Sequence, residues 1–300
     1  MRFSVWPNPG HPWSELLDIA RHAEATGWDG LWMADHFMPN DVDVSGPVTE
    51  CWTTLAAVAA TVPRIRLGAL VTGNTYRHPA VLAKSVATVD QVSGGRVVLG
   101  LGAGWQENEH RAYGIDFATT AVRLARLEEA CQVVKALFSE DRASFAGEHY
   151  TLVDAPLEPK PVQERLPLLV GGGGEKVTLR IAATYADEWN VWGDPATLRH
   201  KSGVLERHCA DIGRDPATIR RSAQALLFMG NDEAWLGRMR AADLGRAAII
   251  GTPAEVAEVV GEYAEAGVDE LIVPDFNMGR FERRQAAYDT FITEVAPSFR

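Results

Sequence analysis

Residues 66–104 read RLGALVTGNTYRHPAVLAKSVATVDQVSGGRVVLGLGAG. Short runs rich in leucine and valine stand at each end, and they favour β-strands at Arg66 to Thr72 and at Arg96 to Gly104. Between them we expect a helix that begins at Pro79, because proline lacks the N–H that would lie unbonded in a first helical turn. A strand, a helix and a second strand in this order are typical of a βα unit in a parallel sheet.

The same alternation continues in both directions from this unit, and eight strands are predicted in all. The other six are predicted at Arg2 to Pro7, Asp29 to Asp35, Leu168 to Gly171, Glu188 to Trp192, about Ile219 to Phe228 and Glu270 to Pro274. Helices are predicted from about Trp13 to Gly27, at Trp52 to Val62, from Pro79 and at Phe281 to Glu294. Eight βα units without a break in composition favour a closed barrel over a doubly wound open sheet. We therefore predict an α/β fold, a single (β/α)8 TIM barrel over residues 1–300.

The segment between the fourth and fifth strands is longer than the other connections, and we predict an insertion there at about residues 105–167. A polar segment, 106–120, comes first, and a helix with an apolar face follows it. Residues 145–152, around Gly147, favour a β-hairpin. The four prolines from Pro156 to Pro167 are too many for either regular element, so we expect an extended connection there.

The composition is that of a globular protein with a large core, since 46% of the 300 residues are hydrophobic and 23% are charged. The 29 basic and 40 acidic side chains give a net charge of −11, and no basic stripe is present, so nucleic acid is not expected as a partner. The apolar stretch 55–62, interrupted only by Thr61, is far shorter than a membrane span, and the first residues lack a secretory signal pattern. A membrane partner is therefore not expected.

The cysteines are Cys51, Cys131 and Cys209, an odd number of widely spaced residues. They form no C-x-x-C motif and have no histidine at metal-ligand intervals, which argues against a disulfide framework and against structural zinc. We therefore expect a cytoplasmic protein without a metal site.

A functional site is expected at the carboxyl ends of the strands, because the loops at that face carry the active sites of (β/α)8 enzymes. Aromatic residues are frequent there and together indicate a pocket for a flat ring. They are Trp6, Trp32, Trp105, Trp189 and Trp192. Any one of these tryptophans could instead fill the interior of the barrel. Thr72 lies at such an end as well, after the third strand.

Asp35 and His36 form the clearest polar pair at this face, where the second strand meets its loop. Histidine is the side chain whose proton changes hands near neutral pH, so we take His36 and Asp35 as the candidate catalytic residues. The alternative is an Asx-type turn beside a surface histidine.

Four consecutive glycines, Gly171, Gly172, Gly173 and Gly174, follow the fifth strand and precede a helix predicted to begin near Glu175. Glycines expose backbone N–H groups, and a helix N-terminus adds a positive dipole end, so the loop could bind phosphate. Lys176 and Arg180 could add positive charge, whereas Glu175 would repel the phosphate, and a purely structural turn stays open. The other glycine run, 100–104, lacks the third glycine of the dinucleotide fingerprint.

Three motifs resemble the luciferase-like monooxygenase superfamily: residues 76–79 (YRHP), 87–96 (ATVDQVSGGR) and 100–105 (GLGAGW). Within it, the chain is most similar to the branch of coenzyme F420-dependent oxidoreductases, and the likeness covers nearly all of the sequence. The resemblance implies a luciferase-like barrel that transfers hydride between this deazaflavin and an organic small molecule. It also suggests a homodimer.

The resemblance also assigns roles to particular residues. Asp35 and His36 would contact the ring system, and His36 would supply a proton. A non-prolyl cis peptide would fall at Leu70–Val71, in a bulge that backs one face of the cofactor. Asn108 and the loop Gly171 to Gly174 would bind the cofactor too. The expected cofactor-binding residues are thus Asp35, His36, Leu70, Val71, Thr72, Asn108, Gly171, Gly172, Gly173, Gly174 and Trp192.

One departure from the family concerns the substrate. Sugar-phosphate dehydrogenases of this branch have a glutamate directly after the strand-four glycines, where this chain has Trp105. The tryptophan favours a bulky, less polar substrate. The loops 38–50 and 106–120 are expected to determine its identity.

Three alternatives remain at this stage. The first is a monooxygenase that uses reduced flavin mononucleotide (FMN) and oxygen, because such members share the barrel. The second is glycoside hydrolysis, which needs two carboxylates on opposite sides of the mouth. Glu107 or Glu109 could supply one of them, but residues 228–230, at the end of the seventh strand, supply no second carboxylate. The third is a barrel that binds a cofactor without catalysis.

Overall fold

Strands and helices alternate along the chain in the computed structural model, which describes residues 1–279 and 281–300. In chain order the elements are β1 (Arg2–Trp6), α1 (Trp13–Thr26), β2 (Gly30–Met33), α2 (Cys51–Thr61), β3 (Arg66–Ala69), β4 (Thr72–Gly73), α3 (Pro79–Ser93), β5 (Val97–Gly102), α4 (Glu107–Tyr113), α5 (Thr120–Ser139), β6 (Arg142–Ala146), β7 (Thr151–Pro156), β8 (Leu168–Gly171), α6 (Thr178–Tyr185), β9 (Glu188–Trp192), α7 (Pro195–Asp211), β10 (Arg220–Gln224), β11 (Leu226–Met229), α8 (Glu233–Ala241), β12 (Ala248–Gly251), α9 (Pro253–Glu265), β13 (Glu270–Pro274) and α10 (Phe281–Thr290).

The main sheet is a closed parallel barrel in the order β1, β2, β3, β5, β8, β9, β10, β13 and back to β1. The short strand β4 pairs with β5 and continues the path of β3 after a break. The predicted (β/α)8 barrel is therefore confirmed, with all eight strands in chain order. The closed order also excludes the open doubly wound sheet.

Side chains alternate across each strand, so one set packs outward under the helices and the other fills the barrel. The inner set is Trp6, Trp32, Ala34, Leu70, Val98, Leu169 and Ile272, all buried. Below it Arg66 pairs with Glu270 at 2.7 Å and with Glu188. These charges lie near the amino ends of the strands, and the opposite end, formed by the carboxyl ends, is the mouth of the barrel.

Several element bounds differ from the prediction. The seventh strand is split, because Leu226 N–H bonds to Ala247 and the chain then pairs as β11 with β12 outside the barrel. The predicted polar segment 106–120 contains α4, and the hairpin β6–β7 is wider than 145–152. The last predicted helix ends at Thr290 and continues as a π-helical turn, Phe291–Val295.

The irregular connection is confirmed, since β7 ends at Pro156 and β8 begins at Leu168. All three cysteines are buried and unpaired. Within residues 1–279 and 281–300, none of the helices combines the length and apolar character needed to cross a bilayer.

Candidate active site

One wall of the mouth is aromatic. The ring centroids of Trp6 and Trp192 lie 5.8 Å apart, and Phe276 lies 5.0 Å from Trp6. Arg246 covers the Trp192 ring at 4.7 Å. Trp32 differs from the others, because it is 1% exposed and its Nε1 donates to Glu270 inside the barrel at 2.7 Å. Trp32 is therefore an interior filler, and Trp6 is buried in the same cluster, whereas Trp192 packs against that cluster and is only partly buried.

His36 lies at the mouth with 22% of its side chain exposed, held between a carboxylate and an aromatic ring. Its Nδ1 is 2.7 Å from Oε1 of Glu109, and the Trp105 ring meets it edge-on at 5.4 Å. The same Glu109 oxygen accepts from the Tyr76 hydroxyl, and Oε2 accepts from Phe37 N–H at 2.7 Å. Glu109 is completely buried. Sequence reasoning considered Glu109 only as a glycosidase carboxylate and missed its contact with His36.

The three hydrogen bonds decide the charge of Glu109. Burial alone would raise the pKa of this carboxyl, but the bonds from His36, Phe37 and Tyr76 outweigh it and lower the pKa below its usual value. Burial and the neighbouring carboxylate raise the pKa of Tyr76. Glu109 is therefore ionised and Tyr76 is protonated at neutral pH.

Asp35 is held in a buried ion pair after the end of β2. It is 1% exposed, and Arg77 grips it through two hydrogen bonds of 2.7 and 2.9 Å. Gly73 N–H adds a third bond at 3.1 Å, and Arg77 also reaches Glu50. Burial raises the pKa of Asp35, and Arg77 and Gly73 offset part of that effect. This pair fixes the β2 and β4 loops beneath the mouth, and a catalytic or cofactor-binding role of Asp35 stays a prediction.

The break between β3 and β4 places Val71 at the mouth. The Leu70–Val71 peptide is cis, as the resemblance implies. Leu70 and Val71 pack on the inner cluster with Trp192. A Cβ at Gly171 would lie 2.8 Å from Val71 Cγ1, so the glycine makes room for this side chain. Thr72 is fully buried, and its hydroxyl accepts a hydrogen bond of 3.1 Å from Nε1 of Trp52 on α2. A contact between Thr72 and a cofactor stays a prediction.

Asn108 sits at the start of α4 and joins two loops. Its Nδ2 donates to Pro39 O at 3.1 Å, and its Oδ1 accepts from Glu109 N–H at 2.8 Å. It thereby ties the loop after β2 to the helix that carries Glu109. A direct contact with a cofactor stays a prediction for this residue.

The glycine loop has the backbone form expected of an anion site. Gly172 has a φ of +129°, and its N–H is bonded to Asn190 O at 2.9 Å. The N–H groups of Gly173 and Gly174 have no hydrogen-bond partner among the described residues. The helix that follows begins at Thr178 and not near Glu175, because residues 175–177 form a turn.

The charges around this loop differ from the prediction. Arg180 turns away from the loop and pairs with Glu128 on α5 at 2.7 Å. Lys201 on α7 takes its place, because its Cε lies 3.8 Å from a Cβ at Gly173 and its Nζ bonds Glu175 at 2.6 Å. No local sequence signal links Lys201 to the loop, since only the packing of α6 against α7 brings them together.

Three polar atoms at the ends of the strands are buried without a hydrogen-bond partner among the described residues. They are Trp6 Nε1, Asn74 Oδ1 and Gln224 Oε1. Their side chains are 6%, 2% and 3% exposed. Buried polar groups in folded proteins nearly always have partners, so these atoms need a partner from a ligand or from water.

The fold is a (β/α)8 barrel that carries aromatic rings and a glycine-rich loop at the carboxyl ends of its strands. The sequence profile of the luciferase-like monooxygenases matches residues 1–238, and the chain belongs to this family.

Two curated relatives carry F420 in their names. A segment of 166 residues is 42% identical to an F420-dependent glucose-6-phosphate dehydrogenase of Kineococcus radiotolerans and covers 55% of this chain and 48% of that protein. A segment of 237 residues is 32% identical to an F420-dependent hydroxymycolic acid dehydrogenase of Mycobacterium tuberculosis, covering 77% of this chain and 62% of that one. The chain thus spans only about half to three fifths of these relatives.

Solved structures share the fold over the whole chain. The F420-dependent tetrahydromethanopterin reductase of Methanopyrus kandleri aligns with a TM-score of 0.84 at 19% identity, over 100% of this chain and 99% of that one. The EDTA monooxygenase of a Chelativorans species aligns with a TM-score of 0.83 at 16% identity, over 99% and 93%. At these identities the likeness concerns the fold.

Proposed function

We propose that this protein is an oxidoreductase that transfers hydride between coenzyme F420 and an organic small molecule. The observation that carries the proposal is the joining of two features in one mouth. Buried polar atoms without a hydrogen-bond partner and a glycine loop with unbonded N–H groups both lie at the carboxyl ends of the strands. The names of the curated relatives favour F420 over other ring cofactors with a phosphate.

The residues at the mouth fit a deazaflavin with a phosphate tail. Asn74 Oδ1 and Gln224 Oε1 would accept from the ring system, and Trp6 Nε1 would donate to it. Gly173, Gly174 and Lys201 would hold the phosphate. When bound, F420 supplies the transfer of two electrons and a proton as hydride.

His36 is the residue that we assign to the accompanying proton. When an alcohol is oxidised, Nε2 takes the hydroxyl proton while the carbon loses hydride, and when a carbonyl is reduced Nε2 returns it. No other described side chain bonds Nε2, so the atom is available to a substrate. Asp35 and Arg77 support the floor of the site from below.

The substrate that we propose is bulky and less polar than a sugar phosphate. Trp105 is 57% exposed and stands edge-on to His36, where the sugar-phosphate enzymes of the branch have a glutamate. Tyr113 and Phe37, whose rings lie 5.4 Å apart, extend this apolar rim. A ring-bearing or long-chain alcohol or carbonyl compound fits such an entrance.

The test is a paired titration of the purified protein with F420 and with FMN, followed by fluorescence at moderate salt. Tight binding of F420 but not of FMN supports the proposal and justifies a screen of alcohols and ketones as substrates. Gly172→Ala should weaken F420 binding at least about tenfold, or about 1.4 kcal/mol. Gly213→Ala is the matched control, because Gly213 also has a positive φ, +68°, but lies between α7 and β10 at the other end of the barrel.

A second candidate is an FMN-dependent monooxygenase that uses oxygen, and the fold shared with the EDTA monooxygenase favours it. Preference for FMN in the titration, together with oxygen consumption, would select this function. If the protein binds F420 but turns over none of a broad panel of alcohols and ketones, we would conclude that it is a non-catalytic cofactor-binding barrel. Binding of neither would overturn the proposal.

We further propose that the protein works as a homodimer in a reducing, cytoplasmic compartment. The family resemblance supports the dimer, and on α3 the side chains of Val81 and Val92 are 60% and 48% exposed. The three unpaired cysteines suit a reducing compartment. Sedimentation velocity tests the dimer, and substitution of Val81 by lysine should yield the monomer.

A further inference from the structure

The carboxylate of Glu109 lies within hydrogen-bond distance of two donors, the Tyr76 hydroxyl and the Phe37 N–H, and of the His36 ring nitrogen Nδ1. Oε1 lies 2.7 Å from His36 Nδ1 and also bonds the Tyr76 hydroxyl, and Oε2 lies 2.7 Å from the backbone N of Phe37. An ionised carboxylate has no proton to donate. His36 Nδ1 must therefore carry the hydrogen in this bond.

A neutral imidazole has a single N–H, so the hydrogen at Nδ1 leaves Nε2 with a lone pair. We propose that Glu109 is a positioning residue that holds His36 as the Nδ1–H tautomer and thereby makes Nε2 the atom that exchanges the proton. Its role in turnover rests on the proposed function, whereas the tautomer is a property of the protein alone. Glu109 is fully buried and acts only through His36.

The three donors also predict what an amide would do at this position. The Phe37 N–H is a fixed backbone donor, so the oxygen of a Glu109→Gln amide must take the place of Oε2. The amide nitrogen then takes the place of Oε1 and donates toward His36 Nδ1. The Tyr76 hydroxyl can rotate to accept, but Nδ1 can accept only after it loses its hydrogen. Glu109→Gln should therefore move the hydrogen of His36 from Nδ1 to Nε2.

The experiment is a two-bond ¹H–¹⁵N correlation spectrum of protein labelled in its histidine rings, recorded above neutral pH. The chain has eight histidines, and the His36 signals are those lost in His36→Asn. We expect N–H character at Nδ1 in the wild type and at Nε2 in Glu109→Gln. Tyr76→Phe is the control, because it removes one donor to Glu109 and leaves the carboxylate opposite His36 Nδ1. In this variant His36 should keep the wild-type tautomer.

A wild-type His36 with its hydrogen on Nε2 overturns the proposal, and so does a folded Glu109→Gln in which the hydrogen remains on Nδ1. If Glu109→Gln does not fold, the wild-type and Tyr76→Phe spectra still decide the tautomer. In the F420 reaction, Glu109→Gln should lower kcat by about 100-fold with KM changed less than about threefold, because proton exchange at Nε2 leaves the disfavoured tautomer. A protein with the expected spectra that does not bind F420 would refute the proposed function and leave the tautomer assignment intact.

Discussion

The side chain of Val71 occupies the space that a Cβ of Gly102 would need, since that Cβ would lie 2.6 Å from Val71 Cγ2. Val71 enters the barrel from the break between β3 and β4, and Gly102 ends the neighbouring strand β5. The floor of the mouth therefore depends on a large residue in one strand and the absence of a side chain in the next.

Gly102→Ala should destabilise the protein by about 2 kcal/mol, because the added methyl group overpacks the site. Val71→Ala removes the atoms that the added methyl group would meet. The double variant should therefore be at least about 1 kcal/mol more stable than the sum of the two single changes predicts. Denaturant unfolding of all four proteins measures this coupling. Strictly additive effects would show that Val71 and Gly102 do not share this space.

Arg77→Met should leave a buried, unpaired carboxylate at Asp35 and cost about 3 kcal/mol of unfolding free energy at pH 8. The matched control is Arg142→Met, because the Arg142–Asp154 pair is exposed and its loss should cost less than about 0.5 kcal/mol. Equal losses in the two variants would contradict the burial argument.

The cost of Arg77→Met should also depend on pH. Burial raises the pKa of Asp35 above the usual value of an aspartate even with Arg77 present, and without Arg77 the pKa rises further. A carboxyl whose folded pKa exceeds its unfolded pKa lowers stability as pH rises between these two values. The difference between variant and wild type should therefore shrink toward pH 4 and reach its full size above the folded pKa. Unfolding curves of both proteins, recorded from pH 4 to pH 8 at intervals of about one pH unit, test whether the stability difference grows as pH rises.

His36→Ala should lower kcat for reoxidation of reduced F420 by about 100- to 10,000-fold, the range expected for loss of a general acid. The Kd for F420 should change less than about threefold, because His36 supplies a proton and not the phosphate or ring-edge contacts. Steady-state kinetics with the best ketone of a substrate panel measure kcat, and fluorescence titration measures the Kd. An unchanged kcat would remove His36 from the proposed reaction.

Glu175→Gln should tighten F420 binding about two- to threefold, because the carboxylate now bonds Lys201 at 2.6 Å and competes with a phosphate for it. Lys201→Gln should weaken binding and reduce its salt dependence. Titrations at two ionic strengths separate these effects. Weaker binding by Glu175→Gln would mean that Glu175 supports the loop and does not compete with the ligand.

Local patterns in the sequence were sufficient for much of this architecture. The strands appear as short, continuous apolar runs because both of their faces are buried, whereas each helix shows a 3.6-residue period with one buried face. The alternation of these two patterns predicts the barrel without knowledge of any long-range contact. The bounds of β8, β9 and β13 agree with the prediction residue for residue. The glycine loop and His36 could be located in the same way, since both directly follow a strand.

Side-chain direction at the mouth could not be obtained from those patterns. Thr72 lies at the predicted strand end yet bonds α2, and Arg180 follows the glycine loop yet pairs with α5. A shift of one residue along a strand or around a helix changes the direction of such a side chain and therefore the surface that it contacts.

The sequence by itself determined the order of strands and helices, the face of the barrel that carries the site, and the residue types available there. Only the tertiary structure brought Glu109 to His36, 73 positions away in sequence, and Lys201 to the glycine loop. The physical reason is that backbone periodicity is a local property. Contacts between side chains of different strands and helices exist only once the barrel has closed and the helices have packed around it.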